Sequence, residues 1–232
     1  MSSSSSFTQK QSEWDHQAGT DDVKNQVCRP FTDKEWDDMV ADIRAKLLPD
    51  NHSGPTDSIL DVGCGNALVL SRLAANFTHI YGVDYGYAMI EKARENLSRG
   101  TFKQGEAGSL NFADNRFDRV LCYSIFHYFP DQKYVYQAIE QMIRVCKPGG
   151  VILIGDLLDS TAEQAFKAAA DIEYEKALPL IFRYSQWLFV DFDKIKQHFE
   201  QKFASQGLKV EVLSQPEHFK LRHYRKDLRI WC

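Results

Sequence analysis

The chain has 232 residues, 44% hydrophobic and 26% charged, which suits one large globular domain and leaves little room for a second. A net charge of -4 argues against a strong nucleic-acid binder, usually basic overall, though it leaves open a local basic patch. No apolar run approaches the ~18 residues of a membrane helix, and the serine tract Met1 to Ser6 lacks the hydrophobic region of a signal peptide.

Read in order, the tract through residue 12 is expected as a disordered tail, and residues 13–50 as an N-terminal helical cap. Thr32-Asp33-Lys34-Glu35 forms a capping box that starts a helix to about Leu48. Asn51 to Thr56 is rich in turn residues. The chain then alternates: strand Ser58–Val62, helix Ala67–Asn76, strand His79–Val83, helix Tyr87–Leu97, short strand Thr101–Gln104 and strand Phe117–Tyr123. A helix Gln132–Cys146, capped by Asp131, precedes an apolar strand Gly150–Gly155. This rhythm predicts a parallel sheet covered by helices on both faces. Ser160-Thr161-Ala162-Glu163 predicts a capped helix to about Leu178, followed by an aromatic-rich loop, Pro179–Gln186. Asp193–Ser205 is an amphipathic helix, and Leu208–Leu213 and Phe219–Trp231 alternate as a closing antiparallel pair.

The five cysteines, Cys28, Cys64, Cys122, Cys146 and Cys232, are odd in number and form no Cys-x-x-Cys. Neither a disulfide framework nor a zinc site is expected, and a reducing, cytoplasmic compartment is.

The most informative stretch is Ile59-Leu60-Asp61-Val62-Gly63-Cys64-Gly65-Asn66-Ala67, a strand running into a glycine turn that opens a helix. Glycine lets the main chain approach a ligand closely, and the helix start adds free N–H groups. The next strand ends at Asp84, about 20 residues on, where nucleotide-binding α/β folds place the acid for ribose hydroxyls. A loop carboxylate or helix cap is the plainer alternative for Asp84. The third glycine of the dinucleotide fingerprint is missing at Leu68, so a ligand without a pyrophosphate fits better than NAD.

Together, Asp61-Val62-Gly63-Cys64-Gly65, Val83-Asp84-Tyr85 with Met89, Gly105-Glu106-Ala107, Phe117-Asp118-Arg119-Val120 and Lys147-Pro148-Gly149-Gly150 resemble, in order, the class I S-adenosylmethionine-dependent methyltransferases. The resemblance spans about residues 56–156. It implies a Rossmann-like three-layer α/β sandwich whose seven-stranded, mostly parallel sheet has one antiparallel strand near its edge. Residues 157–232 would supply the substrate side. It implies S-adenosylmethionine as cofactor: Gly63, Cys64 and Gly65 pass under its methionine part, and Asp61 reaches the amino group. Asp84 takes the ribose, Tyr85 and Met89 flank the adenine, Glu106 and Ala107 read its edge, and Ser124 lies near the amino-acid tail.

For the acceptor, His127 follows the fourth strand at the sheet's carboxyl edge and titrates near neutrality, which makes it the leading candidate base. Packing against the cofactor, or capping a loop, is its alternative role. Asp156, ending the fifth strand, is the second candidate base. His16, Tyr184, His223 and Arg225 are candidate substrate contacts. Strand alternation through Arg222–Lys226 would place His223 and Arg225 on one face, to hold an anionic acceptor or to protect an edge strand. The chain lacks the Asn/Asp-Pro-Pro-aromatic motif of nucleic-acid amino methyltransferases and any carboxylate cluster at metal spacing. The expectation is a methyltransferase without a metal, acting on a small hydroxylated, anionic or sugar-linked molecule, with no nucleic-acid or membrane partner. A small-amine acceptor and a non-catalytic cofactor-binding module remain alternatives, and the oligomeric state is left open.

Overall fold

The computed structural model describes residues 3–49 and 56–232. Helices α1 (Ser3–Gln17), α2 (Val23–Gln26) and α3 (Asp33–Leu47) precede a region of alternating strands and helices. There follow β1 (Thr56–Val62), α4 (Leu68–Leu73), β2 (Phe77–Asp84), α5 (Tyr87–Asn96), β3 (Thr101–Gln104), β4 (Phe117–Tyr123), α6 (Gln132–Val145) and β5 (Cys146–Leu158). The remainder is α7 (Glu163–Ala168), α8 (Ile172–Lys176), α9 (Phe192–Lys202), β6 (Lys209–Ser214) and β7 (Arg225–Trp231).

The strands form one seven-stranded sheet in the order β3-β2-β1-β4-β5-β7-β6. Every pairing from β3 to β5 is parallel, and β7 runs antiparallel to both neighbours. The fold is therefore the expected α/β sandwich, with its antiparallel strand one place in from the edge. Alternation along the central strands divides the core. Leu60, Val62, Val120, Cys122, Ile152 and Ile154 pack with α6 and α9, while Ile59, Leu121 and Leu153 pack with α3, α4 and α5. Helix α6 buries Val135, Ala138, Ile139, Met142 and Ile143, the stripe of a 3.6-residue period. The capping box at Thr32 and Glu35 is present, and Asp131 caps α6 by accepting from Tyr134 N at 2.8 Å.

Four expectations are corrected. Residues 3–12 are helical rather than a disordered tail, because α1 is docked by one face. Phe7 packs on Tyr85 and Tyr134, with ring centroids 5.2 and 5.5 Å apart. Met1, Ser2 and the loop expected at residues 51–55 lie outside the described residues. The helix expected from Ser160 to Leu178 is broken. Asp159, not Ser160, caps its start by accepting from Thr161 N, and Asp171 caps α8 separately by accepting from Tyr174 N. The strand expected from Phe219 begins only at Arg225, since residues 216–224 close turns through Phe219 N→Pro216 O and Tyr224 N→Leu221 O. Finally, β7 lies between β5 and β6, so its charges do not protect a free edge.

Helix α3 is pinned to the antiparallel end of the sheet by charge. Lys46 Nζ lies 2.6 Å from both Asp42 and Asp227, and Asp227 is fully buried. Removing the cation strands a buried carboxylate. Lys46→Met is expected to lower the unfolding free energy by about 3–5 kcal/mol in urea titrations, whereas Asp42→Asn, which keeps the buried pair, should cost under about 1.5 kcal/mol. Equal losses would show that the Lys46–Asp227 pair does not carry the difference.

Candidate functional site

Sheet order reverses between β1 and β4, so the loops after these strands flank a crevice at the carboxyl edge. Gly63 leaves β1 with φ +80°, and a Cβ built there would lie 2.6 Å from Ile125 Cδ1, beyond the end of β4. Only glycine lets the two loops meet this closely. The loop is tied back by Gly63 N and Cys64 N, which both donate to Val83 O at 2.7 and 3.0 Å. Asp84 accepts from Gly65 N and Gly86 N, each at 2.9 Å, and so joins the turns after β1 and β2.

Most of the expected cofactor residues converge here. Gly63, Gly65, Asp84, Tyr85, Met89, Glu106 and Ala107 line one cleft. Asp61, Cys64 and Ser124 line the adjoining hollow across the glycine loop, where the Cys64 thiol turns toward Gly82. The electrostatics favour a cation. Burial, then the neighbouring Asp84, push Asp61 up to about 8, and burial pushes Asp84 up to about 6. An ammonium or sulfonium beside them would relieve both, and hydroxyl donors suit Asp84. The glycine cradle and the paired acids therefore fit S-adenosylmethionine.

Helix α1 roofs this cleft. Gln11 Nε2 donates to Tyr85 O, Lys10 Nζ donates to Tyr128 O at 2.9 Å, and Asp15 accepts from Ala88 N at 2.8 Å. Trp14 meets Tyr128 edge-on at 5.3 Å. The cavity beneath it is about 80 Å³, bordered by Phe7 and Trp14 of α1. Phe7, Gln11 and Trp14 recur at helical spacing, a signal masked in the sequence by the serine tract.

A second cavity of about 560 Å³ adjoins the first at Val27 and is bordered by Arg29, Ser124, His127, Asp156, Trp187 and Arg225. His127 is buried, its ring 4.3 Å from Trp187, and its Nδ1 has no partner among the described residues. Burial, then Arg225, hold its pKa well below the ordinary histidine value, so it is neutral at physiological pH. Asp156 is corrected as a candidate base. Its Oδ2 accepts from Arg225 Nη1 at 2.6 Å, from Ser124 Oγ at 2.7 Å and from Arg29 Nη2. Although burial opposes it, the two arginines keep Asp156 ionised far below neutrality, and an acid so held takes no proton from a substrate. The Ser124 hydroxyl is engaged in the same network. Tyr184 and Arg225 border the cavity as expected, but His16 and His223 are exposed and line neither space. Arg29 was not legible in advance: it stands in a Cys-Arg-Pro turn between α2 and α3 with no motif around it.

A methyltransferase-domain family model matches residues 60–154. The demethylmenaquinone methyltransferase of Staphylococcus haemolyticus is 30% identical over 177 residues, covering 68% of this chain and 72% of that protein. The corresponding enzyme of Desulfitobacterium hafniense is 30% identical over 169 residues, covering 69% and 62%. The 27-O-demethylrifamycin SV methyltransferase of Amycolatopsis mediterranei is 30% identical over 150 residues, covering 59% and 54%. The chain thus spans under two thirds of the length of several curated relatives it matches. In fold it is similar to phosphoethanolamine N-methyltransferase 1 of Haemonchus contortus, at TM-score 0.68 and 16% identity, covering 100% of this chain and 50% of that one. It is also similar to the N-methyltransferase NodS of Bradyrhizobium japonicum with bound S-adenosylhomocysteine, at TM-score 0.65 and 14% identity, covering 96% and 98%.

The raised Asp61 has a consequence for stability. Its folded pKa of about 8 exceeds the unfolded value of about 4, so the folded state holds this proton more tightly. That contribution is complete below about pH 4 and is lost as pH rises through about 8. Melting temperatures of the ligand-free protein should therefore fall between about pH 4 and 8, and Asp61→Asn should flatten the fall; an unchanged slope in the variant would assign it to other groups.

Proposed function

The chain belongs to the class I S-adenosylmethionine-dependent methyltransferases, and on that premise we propose that it methylates an oxygen atom of a small acceptor held in the 560 Å³ cavity. Bound S-adenosylmethionine supplies a sulfonium methyl already activated for in-line attack. Asp84 receives the ribose hydroxyls, Asp61 the amino group, and Glu106 with the Ala107 N–H the adenine edge, between Tyr85 and Met89. The protein aligns the acceptor and excludes water from the path of transfer.

The observation that carries oxygen over nitrogen is the cavity floor, where two guanidiniums share one carboxylate oxygen and leave one positive charge in excess. An amine acceptor enters charged and is repelled, whereas an ionising hydroxyl is favoured. His127 acts as the base. It is neutral, so one ring nitrogen is free to accept the hydroxyl proton, and its depressed pKa keeps it available in mildly acidic solution.

Calorimetric titration tests the cofactor assignment. S-adenosylhomocysteine is expected to bind with a micromolar Kd and NAD not at all, and Asp84→Ala should weaken the former about tenfold or more. Screening with methyl-labelled S-adenosylmethionine against matched phenol and benzylamine acceptors, the latter charged at neutral pH, tests the atom: label on benzylamines alone would overturn the oxygen assignment. His127→Gln should lower kcat about 100-fold while leaving S-adenosylhomocysteine affinity unchanged, and wild-type activity should persist well below pH 6.5. Loss of cofactor affinity in that variant would make His127 a packing residue.

A further inference from the structure

Charge and shape in the larger cavity define more than an oxygen nucleophile. Each charged group on its wall can be accounted for. At the rim, Glu35 is paired with Lys220 at 3.0 Å, and Asp38 with Lys34 at 2.6 Å and His218 at 3.6 Å. On the floor, Arg29 and Arg225 converge on the same oxygen of Asp156. One carboxylate does not satisfy two guanidiniums. Arg29 Nη1 has the Met39 thioether for partner, at 3.6 Å, a weak acceptor, and Arg225 Nε has none among the described residues. His127 Nδ1, on the same floor, is likewise unpartnered. The guanidiniums of Arg29 and Arg225 both border the cavity with more donors than Asp156 can accept, so the floor can still receive an anion.

Above the floor the walls are aromatic: Phe31, Phe166, Tyr184, Trp187 and Phe219 border the space. Trp187 lies over the Arg225 guanidinium, with Cζ 5.5 Å from the ring, and Arg29 Cζ lies 5.4 Å from the Phe31 ring. Aromatic surfaces beside a cationic floor suit a planar ligand with an anion at one end.

We infer that the acceptor is an aromatic carboxylic acid whose carboxylate is received by Arg29 and Arg225 and whose ring lies between the aromatic walls. The assignment makes the two arginines specificity-determining residues of the acceptor site. It rests on the methyl-transfer reading only in taking this cavity as the acceptor's place. The planar carboxylate accepts from the guanidinium edges that Asp156 leaves free, and the net charge of the floor falls to zero.

The test is calorimetric titration of the full chain, with and without saturating S-adenosylhomocysteine, using 2-hydroxybenzoate, whose hydroxyl stays beside the carboxylate on the His127 side, its uncharged isostere 2-hydroxybenzamide and the non-planar cyclohexanecarboxylate. The hydroxybenzoate is expected to bind about tenfold or more tightly than either of the others. Arg225→Gln should abolish the preference for acid over amide, and Arg225→Lys should restore part of it. Because the wild-type comparison needs no variant, misfolding of Arg225→Gln does not decide the matter. Equal binding of acid and amide, or no acid binding while S-adenosylhomocysteine binds, would overturn the proposal and leave the cofactor assignment standing. Acid preference without S-adenosylhomocysteine binding would do the reverse, supporting the anion site and overturning the cofactor assignment.

Discussion

A carboxylate buried in a sheet stays ionised far below neutrality when cations are buried with it, and Asp156 meets that condition at the carboxyl edge. It occupies an irregularity in the β5–β7 pairing, with φ +65°. Its backbone N–H donates to Asp227 at 2.8 Å, and its side chain gathers Arg29, Ser124 and Arg225. Asp227 in turn holds Lys46 of α3. A single chain of charges thus connects the N-terminal helical region, the end of β4 and the antiparallel strand. The walls of the larger cavity stand where this chain puts them.

The parallel half of the molecule was readable because its physics is local. Alternating apolar strands, the Thr32 and Asp131 caps and the Gly63-x-Gly65 turn each constrain a few neighbouring residues, and each appears where the pattern puts it. The residues that the family resemblance puts at the cofactor come together at one edge because they follow successive strands of the sheet. The acceptor side depends on contacts between residues far apart in sequence. Arg29 and Asp156 are separated by 127 positions, and no spacing rule relates them. His16 was a candidate by its place in the N-terminal segment and His223 by strand alternation with Arg225, but both are exposed. Asp156 was placed at the right edge, but its chemistry is set by two arginines that lie elsewhere in the chain.

The two cavities have opposite electrical character. On the nucleoside side, Asp61 and Asp84 crowd together with no cation to settle them, while on the other side two guanidiniums crowd one carboxylate. On the proposed reading, a positively charged methyl donor and a negatively charged acceptor would each be drawn to their own side of the glycine loop. On that reading the sulfur loses its charge as the methyl leaves, the hydroxyl proton passes to His127, and the acceptor's carboxylate stays paired with the arginines. The same polarity disfavours the reverse arrangement, so the site discriminates between its two guests before any shape is read.

Helix α1 sets a further condition on turnover. The contacts of Phe7, Lys10, Gln11, Trp14 and Asp15 set this helix directly over the cleft, so on the proposed reading the firmness of its docking bears on how cofactor enters and product leaves. The strength of that roof then has an optimum. A looser α1 admits water to the transfer path, and a tighter one holds the product, making departure rather than chemistry the slow event in each cycle.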